Sequence, residues 1–218
     1  YEGFEGDTLA SALLANGVVG GFRSPVQGRP RGIFSAGIEE PNALVAVSEP
    51  WVDLIVPAPV VPLVDGLVAE PRAGVTDLAD GGAPTHALHR HRHVETLVVG
   101  AGEAGRAAAT RAARKGDRVL LVDERHVLDD PPTGPDVTAM PNATALGVYD
   151  DGYVVVHERV RTTETIWHIR AANVVLATGA LERPIAFAGN DLPGVMLAGG
   201  VEAYVERYAV APGERAVV

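Results

Sequence analysis

The stretch VETLVVGAGEAG at residues 94–105, continued by RVLLVDE at residues 118–124, decides the fold of this chain. An apolar strand runs into a glycine-rich turn, and a helix of small residues leads from that turn to a second apolar strand ending in Asp123. This order of elements is typical of the βαβ unit that holds a dinucleotide. A βαβ unit with a purely structural role is the alternative interpretation.

The glycines of the turn have separate predicted roles. Gly100 allows the strand to turn sharply into the helix, and Gly102 lets a pyrophosphate approach the backbone. Gly105 lets the helix lie close to the strand. The phosphates would then bind N–H groups at the positive end of the helix, including that of Ala104.

The second strand ends in a carboxylate that we expect to bind ribose. Asp123 lies eighteen residues after Gly105, where it can accept hydrogen bonds from a ribose 2′-OH. Because the same carboxylate would repel a 2′-phosphate, NAD or FAD is favoured over NADP. Glu124 and Arg125 lie beside it.

A third apolar strand ends in Ala-Thr-Gly at residues 177–179. A small turn at the carboxyl end of a neighbouring strand lets the backbone approach a bound cofactor. We therefore expect Thr178 and Gly179 to close the far side of the cofactor. We find no candidate catalytic residue, because no Ser-His-Asp spacing and no paired acid and base are present.

The composition excludes several classes of protein. The net charge is −10, from 18 basic and 28 acidic residues, which does not suit a nucleic-acid-binding protein. Because no apolar run reaches about twenty residues, we expect no membrane span. The chain has no cysteine, which excludes disulfides, a thiolate nucleophile and a Cys-ligated iron–sulfur cluster and fits a cytoplasmic location.

The pattern of elements predicts an α/β protein with several segments. We expect a Rossmann-like parallel sheet with a three-stranded β-meander insertion, preceded by a small separate α+β module. The predicted segments are the module at residues 1–65, a linker at 66–92, the dinucleotide-binding domain at 93–215, and the start of a truncated second dinucleotide fold at 216–218. The meander strands are predicted at residues 143–149, 153–159 and 165–169.

Two clusters of basic residues have open interpretations. Arg23, Arg29 and Arg31 lie in one loop, where they could bind a phosphate or an acidic partner or simply be solvated. The sequence HRHRH at residues 89–93 places three histidines on one face of a strand, which suits either a metal site or a solvated strand entry. We favour the solvated interpretation for both and predict no metal.

Four blocks of this sequence resemble the alpha subunit of heterotetrameric sarcosine oxidase, within the flavoproteins that have two dinucleotide-binding domains. These blocks are GDTLASALLANG at 6–17, RPRGIFSAGIEEPNAL at 29–44, VVGAG at 98–102 with LLVDE at 120–124, and VLATGALERP at 175–184 with AGNDLPGVM at 188–196. The second and fourth blocks are long and specific. The blocks cover most of the chain outside residues 51–90 and 125–140.

The resemblance implies a β-grasp (ferredoxin-like) module at the N-terminus and NAD in the Rossmann domain. Relatives with cysteines in the module hold a [2Fe–2S] cluster, so the absence of cysteine predicts no iron–sulfur cluster here. FAD would lie on a separate beta subunit, and FMN would lie between the subunits of the full complex. The family reaction is oxidative demethylation of sarcosine, and the expected partners are the beta and smaller subunits of a hetero-oligomeric oxidase.

The resemblance also adds two residues to the predicted site. The backbone near Ala145 would meet the adenine edge, as in similar flavoproteins. Glu103 stands where the family has proline, and its carboxylate should point away from the phosphates. The segment after Glu124 lacks the expected glycine pair and helix, and the second dinucleotide and folate domains are missing, so this chain alone would be catalytically incomplete.

Three functions remain open on the sequence. The first is the NAD-binding N-terminal part of a sarcosine oxidase-like alpha subunit. The second is the FAD-binding subunit of an amine or opine dehydrogenase, which the same motif would serve. The third is a shortened, non-enzymatic scaffold that binds a nucleotide or another subunit.

Overall fold

The computed structural model of the chain describes residues 1–74, 86–128, 130–160 and 163–217. Contacts divide the chain into two compact units. The first, which we call the terminal unit, contains the described residues of 1–81 and 181–218, and the second, the sheet unit, contains those of 82–180. Part of the predicted linker, residues 75–85, and Val218 of the predicted second dinucleotide fold lie outside the described residues.

The terminal unit has two small antiparallel sheets, two α-helices and a short 3-10 helix at Ala58–Val60. One sheet pairs β1 with β2, and the other has the strand order β4-β3-β5. The elements are α1 (Leu9–Ala15), β1 (Gly20–Arg23), β2 (Pro30–Gly32), β3 (Leu44–Glu49), β4 (Asp53–Pro57), β5 (Val68–Arg72) and, far along the chain, α3 (Ala198–Tyr208). Their apolar faces share one core, which includes Leu13, Phe22, Ile33, Val45, Val61 and Tyr204.

A buried carboxylate organises the loop between β2 and β3. Glu40 is 2% exposed and accepts four backbone hydrogen bonds. Its Oε2 receives the N–H groups of Phe34 and Ser35 at 2.7 and 2.6 Å. Its Oε1 receives those of Asn42 and Ala43 at 2.7 and 2.9 Å. One side chain thus provides the partners for both ends of the loop, as buried backbone N–H groups require.

The sheet unit contains one sheet of six strands in the order β8-β7-β6-β11-β10-β9. Its elements are β6 (Leu88–Val99), α2 (Glu103–Arg114), β7 (Val119–Val122), β8 (Val137–Met140), β9 (Ala143–Tyr149), β10 (Tyr153–Val160) and β11 (Thr163–Leu176). Four neighbouring strands, β8, β7, β6 and β11, pair in parallel. Strands β10 and β9 then extend the sheet beyond β11 with antiparallel pairing. This mixed α/β architecture with a largely parallel sheet confirms the predicted fold class.

Helix α2 covers one face of this sheet. Its small residues Ala109 and Ala112 pack against Val98, Val119 and Leu121. The other face forms a second apolar cluster, which includes Leu97, Leu120, Val122, Met140, Val154, Val156 and Ile169. Burial on both faces explains why β7 is apolar at every position. In the part of the chain that the structure describes, no helix is long and apolar enough to cross a membrane.

Several elements differ from the sequence prediction. The third meander strand and the strand at 173–176 form one long strand, β11, because Ala171 is buried and pairs with Val94 instead of turning. Strand β8 arises in the segment that was expected to be irregular, and β5 arises within the predicted linker. Helix α3 ends at Tyr208, because Ala209 adopts a left-handed conformation with φ of 53°. Residues 215–217 are not in a strand.

The two units also divide the chain differently from the predicted segments. Residues 181–215, predicted as part of the dinucleotide-binding domain, pack with the N-terminal residues instead. The contact that explains this is made by Tyr204 of α3, whose side chain is fully buried in the terminal unit. Its hydroxyl donates a hydrogen bond to the backbone oxygen of Ser35 at 2.9 Å.

Candidate functional site

The glycine turn lies between the carboxyl ends of β7 and β11. Gly100 has φ of 98°, and its N–H donates to the backbone oxygen of Val122 at 2.8 Å. The N–H of Ala177, just after β11, donates to the backbone oxygen of Val99 at 2.8 Å. A Cβ atom at Gly100 would overlap the carbonyl oxygen of Ala177. The turn therefore requires glycine both for its backbone conformation and for space.

The other two glycines of the turn meet different surroundings. A Cβ atom at Gly105 would overlap the carbonyl oxygen of Gly100, so α2 begins in direct contact with the turn. A Cβ atom at Gly102 would have no heavy atom within 4 Å, and this residue is exposed. Gly105 thus allows the helix to contact the backbone of the turn, whereas Gly102 leaves open space at the surface.

The first turn of α2 presents backbone N–H groups to this open space. The helix begins at Glu103, and the N–H of Arg106 donates to the oxygen of Gly102 at 2.9 Å. The N–H groups of the first helical residues have no partner within a helix, and Gly102, Glu103 and Ala104 are exposed. Such a helix start attracts anions. The negative charge of the Glu103 carboxylate is also stabilised in the first turn of this helix.

Asp123 connects the end of β7 to the glycine turn. Its Oδ2 accepts the N–H of Ala101 at 2.6 Å, and its Oδ1 accepts the N–H and the Nε–H of Arg125, both at 2.9 Å. Nη2 of Arg125 also approaches Oδ2 at 3.3 Å. Partial burial acts to raise the pKa of Asp123, but the hydrogen bonds from Arg125 and Ala101 outweigh it and hold that pKa below its ordinary value.

The remaining predicted site residues lie at different distances from the turn. Thr178 and Gly179 are exposed and follow Ala177, so they continue from the backbone that covers Gly100. Glu124 is exposed next to Asp123. Ala145 lies in β9, where it pairs with Val156, two residues beyond Ala143, whose N–H donates to the oxygen of Asp123 at 2.9 Å.

The structure thus brings most of the predicted site residues together at the carboxyl ends of β6, β7 and β11. Residues 100–105, 123–125 and 177–179 all lie at this edge, although they are far apart in sequence. The hydrogen bonds from Ala101 and from Arg125 to Asp123 were not predicted. The only signal for them in the sequence was an arginine two residues after the acid, which by itself indicates no particular partner.

The alternating histidines of β6 lie against another histidine of the neighbouring strand. Nδ1 of His89 is 2.9 Å from Nε2 of His168, and the ring of His91 stacks on that of His168 with centroids 4.8 Å apart. Nδ1 of His168 is 2.6 Å from the hydroxyl of Tyr153. Within the described ranges, no group of three or more His, Asp or Glu side chains is arranged to bind a metal ion.

The arginine loop of the terminal unit is largely paired within the protein. Arg29 forms an ion pair with Asp191, and Nε of Arg31 lies 3.4 Å from the same carboxylate. Arg23 donates from Nη1 to the oxygen of Gly28 at 2.9 Å. Arg29 and Arg31 thus share one carboxylate, and Arg23 bonds to an uncharged backbone oxygen.

Comparison with known proteins gives close matches along the whole chain. The chain is 41% identical to sarcosine oxidase subunit alpha of Corynebacterium sp. (strain U-96), over 99% of this chain and 26% of the relative. It is 42% identical to the same subunit of Corynebacterium sp. (strain P-1), over 100% and 27%, and 35% identical to that of Rhizobium meliloti (strain 1021), over 97% and 30%. The chain therefore spans about a quarter of the length of the curated relatives it matches.

Two family models match separate parts of the chain. Residues 95–128 match the FAD dependent oxidoreductase family, and residues 1–74 match the 2Fe-2S iron-sulfur cluster binding domain. The first match covers the glycine turn and Asp123, and it supports the prediction of an oxidoreductase subunit. The match of residues 1–74 overturns our prediction of no iron–sulfur cluster. These N-terminal residues have the sequence pattern of a cluster-binding domain.

The residues of this chain do not by themselves fit such a cluster. Iron–sulfur clusters are held by cysteine thiolates, with histidine in some cases, and this sequence contains no cysteine. In the loop between β2 and β3, the backbone N–H groups of residues 34, 35, 42 and 43 bond to Glu40.

Proposed function

We propose that this chain, a relative of the sarcosine oxidase alpha subunits, is the dinucleotide-binding part of an oxidoreductase subunit and that its ligand is NAD. One observation carries the proposal. The glycine turn opens directly into the exposed start of α2, and the carboxylate at the end of β7 bonds to the backbone of that turn at 2.6 Å. Phosphate-binding and ribose-binding groups are thereby held next to each other, as a dinucleotide requires.

Each part of the ligand has a proposed partner in this chain. The pyrophosphate binds the open backbone at Gly102 and the first N–H groups of α2, including that of Ala104. The adenosine ribose binds at Asp123, between the turn and Arg125. Thr178 and Gly179 border the opposite side. A bound nicotinamide would supply hydride-transfer chemistry, and the residues of this chain would bind and orient it.

The full activity is a wider part of the same proposal. By analogy with the relatives, the complete protein would take part in the oxidative demethylation of sarcosine. The chemistry would occur on FMN and FAD of a complex with beta and smaller subunits. The similarity of 41–42% over nearly the whole chain supports this extension, although the chain spans about a quarter of those relatives.

FAD is the second candidate ligand, and one observation favours it. The family model that matches residues 95–128 is that of FAD dependent oxidoreductases. FAD contains the same ADP-ribose portion as NAD, so the contacts at Gly102 and Asp123 serve either cofactor. In this case the chain would be the FAD-binding part of an amine or opine dehydrogenase subunit.

The identity of the ligand is tested by release and titration. The purified protein is denatured and removed, and the released cofactor is identified by absorbance and mass, after which the apoprotein is titrated with NAD⁺ and with FAD. NAD in the released fraction, or saturable binding of NAD⁺, supports the first proposal. A released flavin moves the assignment to FAD. Binding of neither cofactor contradicts both and favours the non-enzymatic scaffold.

The ribose contact is tested by substitution of Asp123. Because hydrogen bonds to a charged group contribute about 1.5–3 kcal/mol, we expect Asp123→Ala to weaken NAD⁺ binding about 10- to 100-fold in calorimetric titration. Asp123→Asn, which keeps the shape of the side chain, separates loss of charge from loss of support for the turn. The control Asp65→Asn changes an exposed carboxylate of the terminal unit. Equal affinity of all these proteins would refute the ribose contact.

A further inference from the structure

The carboxylate at the end of β7 has no acceptor position to spare. An ionised carboxylate offers about four lone-pair sites. Asp123 receives four N–H groups, from the backbone of Ala101, from the backbone of Arg125 and from two nitrogens of the Arg125 guanidinium, at 2.6 to 3.3 Å. A ribose hydroxyl can therefore bond to this carboxylate only by replacing one of these donors.

The guanidinium is the donor that a ligand can replace. The two backbone N–H groups belong to the glycine turn and to the chain just after β7, and their positions follow from the fold. The side chain of Arg125 is 21% exposed and that of Asp123 is 10% exposed. An approaching ribose therefore meets the guanidinium at the more open side of the pair.

The ion pair also changes the charge that a ligand meets. An isolated carboxylate would repel a 2′-phosphate, but here the positive charge of Arg125 lies 2.9 Å from Oδ1 of Asp123. A guanidinium forms parallel hydrogen bonds with phosphate as readily as with carboxylate. By turning from Asp123 to a 2′-phosphate, Arg125 would satisfy the phosphate and leave Asp123 with its two backbone donors.

We propose that Arg125 determines the specificity of the adenosine-ribose subsite, which accepts a 2′-phosphorylated dinucleotide such as NADP⁺ as well as NAD⁺. This inference rests on the proposed function, since it concerns the same site. It differs from the expectation that Asp123 alone would exclude NADP, because that expectation did not include the guanidinium beside the carboxylate.

The test compares NAD⁺ and NADP⁺ in calorimetric titrations of the purified chain and two variants. In the unsubstituted protein, we expect the two affinities to agree within about tenfold, since Arg125 offsets the charge of Asp123. Arg125→Gln should weaken NADP⁺ binding about 10- to 100-fold and tighten NAD⁺ binding, because it removes the guanidinium that a ribose would have to displace from Asp123. The matched control is Arg111→Gln, an exposed residue in the last turn of α2, about 12 Å along the helix from its start, which should change neither affinity more than about twofold.

Each result other than the expected one overturns the inference in an identifiable way. Discrimination of more than about 100-fold against NADP⁺ in the unsubstituted protein, with NAD⁺ bound, overturns the inference alone and leaves the proposed function intact. Equal weakening of both nucleotides by Arg125→Gln would mean that the side chain supports the turn, and thermal unfolding of the variant would show the matching loss of stability. Binding of FAD alone or of no nucleotide overturns the inference together with the NAD proposal.

Discussion

Gly102 and Gly105 stand three residues apart in the same turn, but a methyl group at each would meet different surroundings. At Gly105 it would overlap the carbonyl oxygen of Gly100, which belongs to the rigid backbone of the turn. At Gly102 it would project into open space. The two positions therefore separate the contribution of the turn to folding from its contribution to ligand binding.

We expect Gly105→Ala to destabilise the sheet unit and Gly102→Ala to fold normally. Overpacking of a close contact costs about 1–3 kcal/mol, so Gly105→Ala should lower the unfolding free energy by at least this amount. Gly102→Ala should weaken NAD⁺ binding, because its methyl group occupies the approach to the phosphates. Denaturant unfolding and calorimetric titration measure the two effects. Equal stability of both variants would contradict the observed contact at Gly105.

Strands β6 and β11 bring basic residues together beyond the part of the sheet that α2 covers. If the neutral His168 accepts a hydrogen bond from Tyr153, its Nε2–H donates to His89. Partial burial, followed by the charges of His91 and His89, lowers the pKa of His168 below its ordinary value. Arg170 adds a further positive charge, with its guanidinium 4.8 Å from the centre of the Tyr153 ring.

This arrangement predicts that the sheet unit becomes less stable in mild acid. The pKa of His168 is lower in the folded state than in the unfolded state, so its contribution is present above the ordinary histidine pKa of about 6.5 and is lost as the pH falls below it. We expect His168→Gln to reduce the difference in unfolding free energy between about pH 7.5 and about pH 5.5. Urea unfolding followed by circular dichroism measures this difference.

The control for this prediction is His86→Gln, which removes an exposed histidine outside the strands. It should leave the pH dependence of stability as it is in the unsubstituted protein. If His168→Gln and His86→Gln show the same pH dependence, the hydrogen bonds of the cluster do not govern the acid sensitivity of the sheet unit.

After the last strand of the six-stranded sheet, the chain packs with its own N-terminal residues again. Residues 181–217 pack with residues 1–74, and Tyr204 of α3 is the largest of the fully buried side chains. The proposed dinucleotide site lies in the other unit, and its glycine turn and acidic strand end contain no residue of α3. Stability of the terminal unit and affinity for the ligand should therefore respond to different substitutions.

We expect Tyr204→Ala to destabilise the terminal unit by about 3–5 kcal/mol, because it leaves a large cavity and removes the hydrogen bond to Ser35. Val205→Ala, on the exposed side of the same helix, should change the unfolding free energy by less than about 0.5 kcal/mol. Differential scanning calorimetry measures both effects. If NAD⁺ binds at the sheet unit, the affinity of both variants for NAD⁺ should remain within about twofold of that of the unsubstituted protein at temperatures where the variants are folded. If Tyr204→Ala lost affinity for NAD⁺ together with stability, the expectation that the two properties respond to different substitutions would be contradicted.

Local patterns in the sequence determined most elements of the sheet unit and most residues of its candidate site. Apolar strands at residues 94–99 and 119–122, glycines at 100, 102 and 105, and an acid at 123 have strong local preferences, so the βαβ unit followed from them. The resemblance to sarcosine oxidase alpha subunits followed from the same blocks and is confirmed by the comparisons. The prediction of no iron–sulfur cluster was wrong, because it depended on the absence of cysteine alone, whereas residues 1–74 match a cluster-binding domain as a whole.

Only the tertiary structure decided which distant residues meet. The fusion of two predicted strands into β11, the association of α3 with the N-terminal residues, and the saturation of Asp123 by Ala101 and Arg125 all depend on contacts between separate segments. Hydrophobic periodicity specifies that a face is buried but not which partner buries it. A charged side chain has several partners within reach until the fold selects one. The sequence therefore determined the βαβ unit and its glycine turn, whereas the tertiary structure determined the unit to which α3 belongs and the donors that a ribose would have to replace.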